Sequence, residues 1–146
     1  MVQKVTITLT VEANLLYDMT NPIREEVDKK SRLKDDNLGC APGGKIRDFQ
    51  SSVFINEDVI WEGKTNDPDG LDKGFSVNIK SIEMKSGTNI FGKDPLPGSG
   101  GKVVAKVLND SKLDGKIYEY KIKFSISKPD YDPKYFTIDP KLSCNT

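Results

Sequence analysis

Residues 116–127 alternate between apolar and polar side chains more strictly than any other part of the chain. The apolar members stand at every second position: Tyr118, Tyr120, Ile122, Phe124 and Ile126. Successive side chains of a β-strand point to opposite faces, so this period of two predicts a strand with one buried and one solvated face. Such a strand needs paired neighbours and a second layer to cover its apolar face.

The same alternation occurs in residues 4–11, and shorter apolar runs follow at intervals bounded by turn-forming residues. One run, 74–85, changes the parity of its apolar positions near Lys80 and Ser81, which predicts a β-bulge. The segments add up to about seven or eight strands without the helices that a βαβ fold requires. The sequence therefore predicts one all-β domain over residues 1–146, an antiparallel β-sandwich. Trp61, at the end of an apolar run, is expected in its core.

Residues 18–44 interrupt the β pattern with a long, mostly charged loop. A short helix is compatible with the segment Pro22–Lys30, with Asn21 as its N-cap. A long loop within a compact domain is usually functional. We therefore expect a partner protein to bind here.

The chain contains no histidine, and its 22 Lys and Arg residues balance its 22 Asp and Glu residues. Without histidine there is no Ser–His or Cys–His nucleophile pair and no histidine metal ligand, which argues against an enzyme. A neutral chain has no global electrostatic attraction to nucleic acid or to anionic membrane. We expect neither as a partner, and no resident cofactor.

The two cysteines, Cys40 and Cys144, form no CxxC motif. They are interpreted as two free apolar side chains, with a Cys40–Cys144 disulfide as the alternative in an oxidising compartment. The segment Gly39–Lys45 has the spacing of a phosphate-binding loop, but Ile46 stands where that motif needs Ser or Thr, so an ordinary turn is expected.

Two loops carry residues that suit a ligand. Asp67, Asp69 and Asp72, with a glycine between them, are candidate oxygen ligands for calcium in the 65–72 loop. The alternative is a solvated acidic turn between strands.

The second loop, 129–139, holds Asp130, Asp132 and Asp139 beside Tyr131 and Tyr135. Aromatic rings next to carboxylates can bind carbohydrate by stacking and hydrogen bonding. The alternative is that prolines and aspartates shape a loop beside an edge strand.

The first residues lack the apolar core of a signal peptide, and no run of the sequence is apolar enough to span a membrane. These features predict a cytoplasmic protein, although a non-classical export route stays open.

The segment 53–61, which ends in Val59-Ile60-Trp61, resembles the strand entry of cupredoxin-like sandwiches. That family binds copper through two His and a Cys, so the resemblance implies a shared fold without the copper site.

The order of features is also similar to that of the bacterial inclusion-body proteins of the PixA/AidA type. The similarity includes the alternating first strand, the strand ending in Trp61, the turn at 86–89, the strand 118–126 and the segment 136–140. It implies a β-sandwich without catalytic residues that accumulates in bacteria and is linked to host interaction. No functional residue is carried over from the family.

The sequence thus favours a non-enzymatic β-sandwich that associates with itself or with a partner protein. The alternative is a calcium- or carbohydrate-binding module that uses the 65–72 and 129–139 loops.

Overall fold

The computed structural model describes residues 4–36 and 46–146 and shows a two-sheet, all-β sandwich in these ranges. The strands are β1 (Val5–Val11), β2 (Ser31–Asp35), β3 (Gln50–Phe54), β4 (Asp58–Thr65), β5 (Ser76–Gly87), β6 (Leu96–Pro97), β7 (Val103–Lys106), β8 (Ile117–Lys128), β9 (Tyr131–Ile138) and β10 (Lys141–Asn145). The helices are α1 (Ala13–Asp18) and α2 (Arg24–Lys29), and single 3-10 turns lie at Ile46–Asp48 and Ser111–Leu113.

The smaller sheet has the strand order β2-β1-β4-β7, and the larger has the order β3-β10-β8-β5-β6, with β9 also paired to β8. Most pairs are antiparallel, as expected, but β1 pairs with β4 and β3 pairs with β10 in parallel. Parallel neighbours need a long crossover connection. The chain between β1 and β4 supplies it by forming both helices, β2 and β3.

The predicted alternation is visible in the burial of the strands. In β1 every odd-numbered residue is buried, and in β8 the five alternating apolar residues are each 0% exposed. The bulge predicted in 74–85 is confirmed, because the register between β5 and β8 shifts between Ile79 and Ser81. Trp61 is 1% exposed in the core, also as predicted.

The segment 18–44 contains more regular structure than the sequence indicates. The helix α2 is confirmed but begins at Arg24, and Asn21 is not its cap: the capping contact is Ile23 N–H donating to Glu26 Oε1 at 3.2 Å. The residues after the helix form β2, which pairs with β1. Their charge conceals the strand, because an edge strand with one face in solvent can carry charged residues. Residues 37–45, with Cys40 and the glycine-rich segment, lie outside the described residues.

Two further strands, Leu96–Pro97 and β10, are missing from the sequence-based prediction, and β9 is longer than the strand predicted from the alternation at Tyr135–Ile138. Leu96–Pro97 pairs with β5, inside a segment interpreted as a Gly/Pro loop. Strand β9 begins at Tyr131 and contains Pro133. An edge strand tolerates this proline because its missing N–H falls where the pairing with β8 is irregular. Strand β10, Lys141–Asn145, lies between β3 and β8.

Candidate functional site

A groove of about 810 Å³ lies along the edge of β9. One wall is formed by residues 19–22, 24 and 27, in and around the connection between the two helices, and the other by residues 133–137 of β9. In the described part of the chain, β9 pairs with β8 alone, so its other edge faces this groove. An edge strand with an open side is a template for association with another chain.

The helix α1 is held against β9 by a small set of contacts around Tyr17. The Tyr17 hydroxyl donates to the backbone oxygen of Asp132 at 2.7 Å, and its ring packs edge-on against Phe75 at 5.5 Å. The Lys134 ammonium lies 4.6 Å from the centre of the Tyr17 ring and donates to the Tyr17 backbone oxygen. These contacts fix the walls of the groove relative to each other, so the groove exists before any partner binds.

The charged side chains of the groove are cationic. Arg24 and Lys134 line it, and none of its lining residues is a carboxylate. Arg24 forms an ion pair with Asp139 at 3.2 Å, and Lys85 binds the same carboxylate at 3.0 Å. Asp139 therefore anchors the far end of β9 to α2. The groove combines apolar walls with positive charge, which suits a partner segment that carries both apolar and acidic residues.

Exposed apolar side chains occur on several elements next to this groove, and one of them, Tyr135, lines it. Among the described residues, the exposed large apolar side chains are Leu15, Ile23, Leu71, Val104, Leu108, Ile117, Tyr131 and Tyr135. Four of these, Leu15, Ile23, Leu71 and Tyr135, belong to α1, to the cap of α2, to the loop 66–75 beside α1 and to β9, whereas Tyr131 lies on the opposite face of β9 from Tyr135. Single exposed apolar residues are ordinary, whereas contiguous apolar patches larger than a few hundred Å² are typical of interaction surfaces.

The 66–75 loop contains the three aspartates considered as calcium ligands. Asp72 is 2% exposed, and its carboxylate accepts the backbone N–H groups of Asn14 at 2.8 Å and Asp67 at 2.9 Å. Asp67 in turn accepts from the Leu71 N–H at 3.1 Å, and Asp69 is exposed. The described chain contains no group of three or more His, Cys, Asp or Glu side chains arranged to hold a metal ion. The hydrogen bonds give Asp72 a structural role at the start of α1, and calcium binding stays a prediction.

The two tyrosines considered for carbohydrate binding are both exposed, Tyr131 at 63% and Tyr135 at 67%. They do not share a face. Tyr135 pairs with Ser125 and Tyr131 with Lys128, across a register shift between the two pairs. Directly paired residues lie on the same side of a sheet, and positions 125 and 128 of β8 have opposite parity. The tyrosines therefore form no joint stacking platform, and carbohydrate binding stays a prediction.

The sequence drew attention to the segment 18–44, which forms one wall of the groove, but it missed the opposite wall. That wall depends on β9 starting at Tyr131 rather than Tyr135, which Pro129 and Pro133 obscure in the sequence. The exposed Ile23 and Leu71 were the available signals, since each is an apolar residue within a charged segment.

Neither helix of the described chain, each of six residues, has the length and apolarity needed to cross a membrane.

No family model and no curated protein matches this sequence. Its structure is similar to the crystal structure of the inclusion body protein PixA from Burkholderia cenocepacia J2315, with a TM-score of 0.64 and 10% sequence identity. The alignment covers 99% of this chain and 96% of that chain. The resemblance to the PixA type is thus confirmed for the fold: this chain has the β-sandwich fold of the PixA inclusion body protein along nearly its whole length.

Proposed function

We propose that this protein is a non-enzymatic β-sandwich that acts by self-association through the surface around the β9 groove. The observation that carries the proposal is the group of exposed apolar side chains on α1, the α2 cap, β9 and the 66–75 loop. A second molecule that covers these side chains removes their apolar surface from water. This burial stabilises the complex by about 25 cal/mol of free energy per Å² of apolar surface. Isolated exposed residues elsewhere on the sandwich offer no comparable gain.

Two further arguments support self-association over catalysis. The protein of similar fold is named an inclusion body protein, and accumulation in an inclusion body requires contacts between many copies of a chain. The sequence also lacks histidine, and with it the commonest general base at neutral pH. We propose a cytoplasmic location on the basis of the sequence alone.

Sedimentation velocity over a range of protein concentrations tests the proposal. The weight-average sedimentation coefficient is expected to rise with concentration. Ile23→Ser and Tyr135→Ser should each weaken association, because both side chains are more than 60% exposed and contribute little to the fold. Serine is also a better N-cap than isoleucine at position 23, so this variant should fold at least as well.

The matched control is Val104→Ser, which removes an apolar side chain that is 61% exposed on the edge strand β7, away from the groove. It should leave the association constant unchanged. A protein that stays monomeric up to millimolar concentration, or one that all three variants weaken equally, would contradict the proposal.

A further inference from the structure

We infer that the groove accepts the tip of the 66–75 loop, with Leu71 at its apex, from a second copy of the same chain. This inference rests on the proposed self-association and names the segment that binds. Leu71 has the highest exposure, 72%, of the large apolar side chains in the described residues. A large apolar side chain held in water on a loop tip is the kind of group that anchors an interface when a pocket receives it.

The loop presents Leu71 in a fixed geometry. Its N–H donates to the Asp67 carboxylate, and the Gly70 and Asp72 N–H groups donate to the Asp67 backbone oxygen at 3.1 and 3.0 Å. The buried Asp72 carboxylate ties the whole turn to Asn14. A loop that is already ordered loses little conformational entropy on binding, so most of the energy of burying Leu71 is available for association.

The charges of the two surfaces are complementary. The loop 66–75 carries three aspartates and one cation, Lys73; Asp67, Asp69 and Lys73 are exposed, whereas Asp72 is buried. Arg24 and Lys134 line the groove without a lining carboxylate, and Arg24 is also paired with Asp139, which lies outside the lining. A docked loop would place the exposed Asp67 and Asp69 near these cations while Leu71 contacts the apolar residues Met19, Val27 and Phe136. Opposite charges on two facing patches also select the register in which they meet.

The size of the groove fits this occupant. Its volume, about 810 Å³, is within the usual range of ligand pockets, about 300–1,000 Å³. The loop and the groove are different patches of one chain, so one molecule offers its loop while its own groove stays free for another copy. Two molecules can each insert their loop into the other's groove and form a closed dimer, or each can bind a further molecule and form a chain of copies.

A mixing experiment tests the inference. Leu71→Ser should weaken association at least about tenfold, because it removes the anchor while keeping the N–H that binds Asp67. Thr20→Glu, at an exposed position that lines the groove, should have a similar effect because it places a carboxylate where the acidic loop docks. Each variant alone should sediment as a monomer. An equimolar mixture should form heterodimers, because the first variant keeps an intact groove and the second keeps an intact loop.

The outcomes separate the inference from the proposed function. If Leu71→Ser associates like the unmodified protein while Ile23→Ser and Tyr135→Ser do not, self-association through this surface stands and the loop-in-groove contact is overturned. If Leu71→Ser weakens association but the mixture does not restore it, Leu71 contacts its own symmetry mate or another patch, which also overturns the inference. A protein that is monomeric throughout overturns both.

Discussion

Trp61 donates a hydrogen bond from its indole Nε1 to the Tyr120 hydroxyl oxygen at 3.1 Å, and this bond joins the two sheets of the sandwich. Trp61 lies in β4 of the four-stranded sheet and Tyr120 in β8 of the larger sheet. Both side chains are at most 1% exposed, and their rings meet edge to face with centres 5.7 Å apart. The pair therefore fixes the distance and the orientation of the two layers at one point of the core.

Replacing Tyr120 by phenylalanine should destabilise the protein. The substitution keeps the ring but leaves the Trp61 N–H buried without an acceptor, which costs about 1–3 kcal/mol of the free energy of unfolding. Urea denaturation followed by the fluorescence of Trp61, the single tryptophan of the chain, measures the change. The m-value should stay constant, since the surface exposed on unfolding is the same.

Tyr118→Phe is the matched control for that experiment. Tyr118 stacks on Tyr120 with ring centres 5.3 Å apart and is equally buried, but its hydroxyl has no hydrogen-bond partner among the residues that the structure describes. Removing an unpaired buried hydroxyl should leave stability unchanged or raise it. Equal losses in the two variants would show that packing, and not the bond to Trp61, is responsible.

The same two tyrosines predict a loss of stability in alkaline solution. Burial raises the pKa of Tyr118, with a smaller contribution from Asp94, and burial also raises the pKa of Tyr120. The folded state therefore holds these protons more tightly than the unfolded state, whose tyrosines titrate near pH 10. Their contribution to stability is complete below about pH 10 and falls above it, by about 1.4 kcal/mol per pH unit for each tyrosine.

Unfolding curves at a series of pH values above the unfolded pKa measure this slope. In Tyr118→Phe and in Tyr120→Phe the slope of unfolding free energy against pH should be smaller by the contribution of the one tyrosine that was replaced. An unchanged slope in both variants would mean that other groups cause the alkaline loss.

The strands that alternate without interruption could be predicted from the sequence, and those that owe their structure to neighbours could not. The segments 4–11 and 116–127 have a period of two because one face of each covers the core. Strand β2 has a charged sequence, and β9 contains Pro133, so neither carries that period over its whole length. Their backbone is paired by adjacent strands, β1 and β8, which local sequence does not reveal.

The candidate site was predictable in one part and not in the other. The segment 18–44 attracts attention because it breaks the β pattern, and it supplies one wall of the groove.

The role of Asp72 depends on a contact with Asn14, which is 58 positions away in sequence. The three aspartates look alike in the sequence, but one is buried and two are exposed. Burial of this kind follows from tertiary packing and not from spacing.

The thiol of Cys144 should be unreactive in the folded protein. It is free and buried in β10, with 0% of its surface exposed, and burial raises its pKa. Both effects lower the amount of accessible thiolate, which is the form that reacts. In Cys40→Ser, where Cys144 is the single remaining cysteine, labelling with Ellman's reagent should proceed only through unfolding. Its rate should rise with urea concentration, and rapid labelling without denaturant would contradict the burial of this strand.

Asp72 should matter for stability far more than its neighbour Asp69. In Asp72→Ala the N–H groups of Asn14 and Asp67 lose their acceptor, at an expected cost of about 1–3 kcal/mol. Asp72→Asn keeps one acceptor oxygen and should lose less. Asp69→Asn, at an exposed position, should change the free energy of unfolding by less than about 0.5 kcal/mol. Thermal unfolding of the three variants measures their losses of stability, which should be largest in Asp72→Ala, smaller in Asp72→Asn and smallest in Asp69→Asn.

Adding calcium to the same samples decides between the two roles of the loop. A ligand that binds the native state raises its Tm, whatever the identity of the ligand. If the Asp72 carboxylate serves only the two backbone amides, millimolar calcium leaves the Tm of the unmodified protein unchanged. If the loop binds calcium, the Tm rises, and the rise should shrink in Asp69→Asn, because that variant folds normally and lacks one exposed carboxylate. The magnesium-treated protein serves as the control, since a general effect of ionic strength would raise both Tm values equally.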